Sequence, residues 1–154
     1  MDEKSICHFC KEEKTCLDGG NLFGFEEIEA VCFECVKNGK LMDLDISCND
    51  IDSSTLSPEV VNEIVYCTPS LPTWQDCSWP VKNGTPGTFI KIASKLDYDS
   101  KEQFVNSLYD CEKDPDLWEM LPGIKITNMK EGQYDISFYL FEVNGEKLTI
   151  WDAN

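Results

Sequence analysis

The chain has 154 residues, enough for a domain of ordinary size, and its hydrophobic and aromatic fractions of 42% and 11% are those of a folded protein with a real core. The 29 acids against 13 bases give a formal net charge of -16, and every base is a lysine. Nucleic acid is therefore a poor partner, because no guanidinium fork is available for phosphate or a guanine edge.

No apolar run reaches the roughly 20 residues that a bilayer-crossing helix needs, so no membrane association is expected. The start MDEKSIC lacks the basic and apolar regions of a secretory signal. A cytoplasmic, reducing setting is expected for the nine cysteines, which weighs against a disulfide framework.

In chain order, Cys7 and Cys10 form one Cys-x-x-Cys pair and Cys32 and Cys35 a second, with Cys16 between them. Gly19-Gly20-Asn21 predicts a tight turn joining strands Thr15 to Asp18 and Leu22 to Phe25. VKNGKL after the second pair predicts a short helix closed near Asn38-Gly39. Between Leu41 and Val81 there is no lysine, while Asp43, Asp45, Asp50 and Asp52 fall close together. Such a stretch repels polyanions and suits a basic protein partner, or simply forms a solvated acidic face.

Ser57-Pro58-Glu59 opens a helix, with serine as cap and proline at the first helical position, ending before Cys67. Residues 68–87, rich in proline and tryptophan, read as a long ordered loop. TFIKIA at 88–93 reads as a strand. Ser100 and Gln103 make a capping box for a helix to about Cys111, and Asp114-Pro115 starts another that Pro122-Gly123 ends. Tyr134, Ile136, Phe138 and Leu140 alternate with polar residues, and Asn144-Gly145 turns that strand into Lys147 to Trp151. The fold class is α+β: a treble-clef or ribbon-like zinc lobe (1–41) packed on a small α+β domain (42–154) with a C-terminal antiparallel hairpin, forming one compact unit.

Two Cys-x-x-Cys knuckles supply four corners of a zinc tetrahedron, and the 21 residues between Cys10 and Cys32 are enough to bring them together. One structural Zn2+ on Cys7, Cys10, Cys32 and Cys35 is the expected cofactor. Redox chemistry needs only one knuckle, and a catalytic metal needs an open position that four thiolates close. His8 or Cys16 remains an alternative ligand. Cys48, Cys67, Cys77 and Cys111 read as core packing, with Cys77 the best candidate nucleophile in a chain whose lone histidine lies in the first knuckle. No catalytic residue is assigned, and the Asp43 to Asp52 run lacks the register of a calcium loop.

CFECVKNGKL, the acidic stretch, YCTPSLPTWQDCSWPVKNG and the Tyr139-Leu140-Phe141 segment together resemble the CbrC family of bacterial proteins, over most of the chain. Many members of that family carry a further His-Cys after the second tryptophan and a Cys-x-x-Cys in the C-terminal hairpin. Here Lys82-Asn83 and Glu142-Val143-Asn144-Gly145 stand there, so the resemblance implies that a second metal site is missing. The family's named member is linked to colicin tolerance, and the resemblance implies no reaction or substrate.

The expected function is a non-enzymatic, zinc-stabilised interaction protein with a tolerance- or immunity-like role toward a basic protein partner. Trp74, Gln75 and Trp79 would offer the rigid apolar contact, and Asp43, Asp45, Asp50 and Asp52 the electrostatic steering. The tryptophans equally suit a role in anchoring their loop to the core. The alternative function is a small-molecule binder or enzyme with a pocket near Trp74-Gln75.

Overall fold

The computed structural model describes residues 4–71, 78–109, 111–124 and 135–153. Trp74, Gln75, Asp76 and Cys77 lie outside the described residues. The chain divides into two compact units, Met1–Thr73 and Trp74–Asn154. Among the described residues it is a mixed α+β protein with small sheets, four α-helices and no closed barrel.

The first unit begins with an antiparallel sheet of order β1-β2-β3, formed by Lys4–Ile6, Glu13–Asp18 and Ala30–Cys32. The expected hairpin between Thr15–Asp18 and Leu22–Phe25 does not form. Gly19–Asn21 is instead a 3-10 turn, in which the Asp18 carboxylate accepts from the Gly20 N–H, and β2 pairs with Ala30–Cys32 across a longer loop. The Gly19 N–H donates to Glu29 O at 2.9 Å, which fixes that wider closure. Phe23 bridges to Ser47 through two backbone hydrogen bonds of 2.9 and 2.8 Å.

Helix α1 (Phe33–Lys37) follows β3 directly and ends at Asn38, with Gly39 left-handed at φ 74°. It thus starts earlier than VKNGKL suggests, and it contains Cys35. A 3-10 turn over Lys40–Leu44 and the short strand β4 (Asp50–Ile51) lead to α2 (Pro58–Tyr66), whose Ser57 hydroxyl accepts from the Val60 N–H. Buried Asn49 donates through Nδ2 to Ile64 O and Thr68 O at 3.0 and 2.9 Å, satisfying carbonyls around the end of that helix.

Residues 42–73, expected in the second domain, therefore belong to the first unit. Ile46 and Cys48 are the reason: both are buried in one core with Cys7, Val31, Val36 and Leu41.

In the second unit, strands β5 (Ser78–Trp79), β6 (Val81–Lys82) and β7 (Thr85–Pro86) replace part of the expected loop. β6 and β7 pair around Asn83-Gly84, both at positive φ, which is the chemistry of a two-residue hairpin turn. The main sheet has antiparallel order β10-β9-β8, from Glu146–Ala153, Ile136–Val143 and Thr88–Ile92. Asn144-Gly145 turns the chain between β9 and β10 as expected.

Central β9 does not alternate between core and solvent, because both of its faces are covered. Phe138 and Leu140 share a core with Phe104 of α3 (Lys101–Ser107) and Leu117 of α4 (Leu117–Met120). On the same strand, Tyr139 and Phe141 are buried and meet Phe89, while Phe141 also meets Trp79. α3 stops at Ser107, short of Cys111. There the serine hydroxyl turns back onto Phe104 O at 2.6 Å and joins Thr149 Oγ1 at 2.7 Å, and Tyr98 Oη lies 2.6 Å from the same threonine oxygen.

Candidate metal centre

The turn between β1 and β2 is the first knuckle. The Cys7 N–H donates to Glu12 O and the Lys11 N–H to Cys7 O, both at 3.0 Å, and Lys11 takes a positive φ of 62° to close the bend. The second knuckle is the junction of β3 and α1, which puts Cys32 at the strand end and Cys35 in the first turn of the helix. Because β3 lies beside β2, the two knuckles meet at one end of the sheet.

Cys7, Cys10, Cys32 and Cys35 place their Sγ atoms within 4.8 Å of one another. The Cys10 and Cys32 sulfurs are 3.9 Å apart. A zinc tetrahedron with Zn–S bonds of about 2.3 Å has edges of about 3.8 Å, whereas a disulfide needs about 2.05 Å. No disulfide is present among the described cysteines. Four thiols of this spacing, with Cys7, Cys32 and Cys35 buried, could hold a metal ion and fit the donor set of a closed structural site.

Electrostatics within the group is uneven. Burial opposes ionisation of Cys7, but the backbone N–H groups of Cys32, Cys10 and Phe9 outweigh it and bring the thiol down to about 6; the Cys32 N–H lies 3.4 Å from Cys7 Sγ. Burial and the neighbouring sulfurs of Cys32 and Cys7 push Cys35 up to about 12. Cys10 is also raised: the Glu12 backbone favours its thiolate, but burial and the Cys7 and Cys32 sulfurs prevail. The cluster alone thus favours a thiolate at Cys7 and neutral thiols at Cys10 and Cys35, and a divalent cation at its centre would favour the ionised form of these two as well.

Neither alternative ligand enters the cluster. His8 is exposed, its ring edge-on to Phe9. Cys16 is buried opposite Cys32 in the strand register and donates to Ser5 O at 3.5 Å. No other group of three or more metal-ligating side chains is found among the described residues.

The residues expected to face a partner divide differently from the expectation. Asp43, Asp45, Asp50 and Asp52 are all exposed, and two of them also support local structure. Asp45 accepts from Tyr66 Oη at 2.7 Å, while Asp52 accepts from the Ser54 N–H at 3.0 Å, a bond that lowers its pKa. Trp79 is not on a docking surface. It is 5% exposed, donates through Nε1 to Gly87 O at 2.8 Å and packs edge-on against Phe141. The proline-rich sequence around it disguised a tryptophan that serves the core.

Sheet, knuckles and helix together define a small α+β protein with a four-thiol centre. The chain belongs to the uncharacterised protein family UPF0167, which it matches over residues 1–146. No curated protein and no solved structure matches it.

Proposed function

We propose that the chain is a non-enzymatic interaction protein in which one structural Zn2+ on Cys7, Cys10, Cys32 and Cys35 holds the first unit together. The four convergent, mostly buried sulfurs carry this reading. Four thiolates leave no position for substrate or activated water, and zinc suits an all-thiolate tetrahedron in a reducing compartment. The knuckle, the strand pair and the short helix bearing Cys35 support a treble-clef-like description of the lobe.

The partner is a basic cytoplasmic protein, drawn by the net charge of -16 and the exposed Asp43, Asp45, Asp50 and Asp52. Trp74 and Gln75 are assigned to the contact. A tolerance role against a basic toxin is the concrete form that the CbrC resemblance supplies.

Native mass spectrometry tests the metal: one zinc ion per chain is expected, and Cys7→Ser and Cys32→Ser should each lose it, with stability falling by more than about 4 kcal/mol. Zinc-free native protein, or unchanged melting of both variants, overturns the metal reading. Affinity capture from the native host, repeated with Trp74→Ala, tests the contact. A basic protein lost in a still-folded variant is the expected result.

A further inference from the structure

The loop Leu22-Phe23-Gly24-Phe25-Glu26-Glu27 has no place in the metal centre, yet the fold displays it. Its backbone is pinned at Phe23 by the paired hydrogen bonds to Ser47. Gly24 lies flush on the neighbouring chain, since a side chain there would come within 3.0 Å of Ile46 Cγ1 and 3.2 Å of Asp45 O. The approach is a tight one, and the phenylalanines on either side stay in solvent: Phe23 is 48% exposed and Phe25 fully so. Met42, 45% exposed, belongs to the same lobe. Two exposed aromatic rings held on an anchored loop are costly in water unless something covers them.

Charge says what that cover is. The Phe23–Ser47 bridge joins two lysine-free segments, residues 15–36 and 41–81. Glu26 and Glu27 follow Phe25 directly, and Asp43 and Asp45 precede Ser47 across the bridge; all four are exposed. The aromatic tip is therefore flanked by acids on both strands of the bridge.

We infer that the Phe23–Glu27 loop is a docking tip for a basic amphipathic protein segment, whose apolar stripe covers Phe25 and Phe23 and whose lysines or arginines meet Glu26, Glu27, Asp43 and Asp45. The inference rests on the interaction reading above and adds to it a contact on the first unit. Aromatic rings in such a position provide most of the binding energy, and the acids set the rate and orientation of encounter.

The probe is a fluorescein-labelled synthetic helix with leucines on one face and lysines on the other, titrated with zinc-loaded full-length protein and read by anisotropy. Phe25→Ser should weaken binding about tenfold or more with unchanged melting temperature, since the ring packs on nothing. Glu26→Gln with Glu27→Gln should weaken binding and flatten its salt dependence. A helix with serines in place of leucines should bind about tenfold more weakly.

Equal binding of the serine helix means non-specific attraction to an acidic protein and overturns the inference. Binding kept in Phe25→Ser but lost in Trp74→Ala also overturns it, while leaving the interaction reading intact. A dimer in sedimentation that Phe25→Ser dissolves means that a second copy covers the tip. A lower melting temperature for Phe25→Ser with unchanged probe binding means that the chain covers its own ring. Either result overturns the inference, and so does failure of the wild-type protein to bind the leucine-lysine helix.

Discussion

Cys48 shows how one residue's surroundings become a pH response. It is 2% exposed in the first core, and burial, with Cys67 adding a smaller like-charge effect, pushes its thiol from the ordinary 9.0 up to about 12. A thiol whose pKa is raised on folding contributes its full stability below pH 9 and loses it as pH rises through 12, because the unfolded chain ionises first. The slope approaches about 1.4 kcal/mol per pH unit for a single group. Cys48→Ala should therefore lower stability at neutral pH, through the lost packing, yet flatten the decline between those two pH values. Urea melts of both proteins across that range would show it, and parallel pH profiles would refute it.

At the scale of elements, closure of the β2–β3 connection depends on Gly19. A Cβ there would sit 1.7 Å from Ile28 O, a backbone atom that cannot swing aside, whereas at Gly20 the nearest atom is a flexible Asp18 oxygen at 3.3 Å. Gly19→Ala should cost about 3 kcal/mol or more and Gly20→Ala less than about 1, compared by thermal melts. The Gly-Gly pair looks in the sequence like one local turn. Its first glycine in fact answers a contact from residue 28, which local spacing could not reveal.

Elements whose signals are local were readable: the Ser57 cap, the Ser100 and Gln103 pair, the Asn144-Gly145 turn and both cysteine knuckles. Even in the capping pair, Gln103 Oε1 accepts from the Asp99 N–H, one residue earlier than the motif implies. The Asn83-Gly84 hairpin carried the same turn signal but lay hidden among prolines. Burial of both faces of β9 depends on Trp79 and on its cross-strand neighbour Phe89, which no alternation in its own sequence encodes. Phe25 was legible only as a strand residue, because exposure follows from the loop's route past Ile46.

Across the whole molecule, the two units have cores of different chemistry. Three of the eleven buried residues in the first core, Cys7, Cys32 and Cys35, are clustered cysteines, whereas the second is built on aromatic and aliphatic side chains such as Tyr98, Phe104, Phe138 and Leu140. On the proposed metal role, chelation should therefore remove hydrogen-exchange protection from β1, β2 and β3 while amides of β8, β9 and β10 keep theirs. Equal loss in both sheets, or none in either, would contradict this. No helix among the described residues is long and apolar enough to cross a membrane.

The four-sulfur cluster also bears on the life of the chain in a cell. If zinc ties the two knuckles together as proposed, a newly made copy without it would hold its first unit less firmly and spend more time open to proteases. On the proposed metal role, its steady-state amount would follow metal supply without any change in transcription.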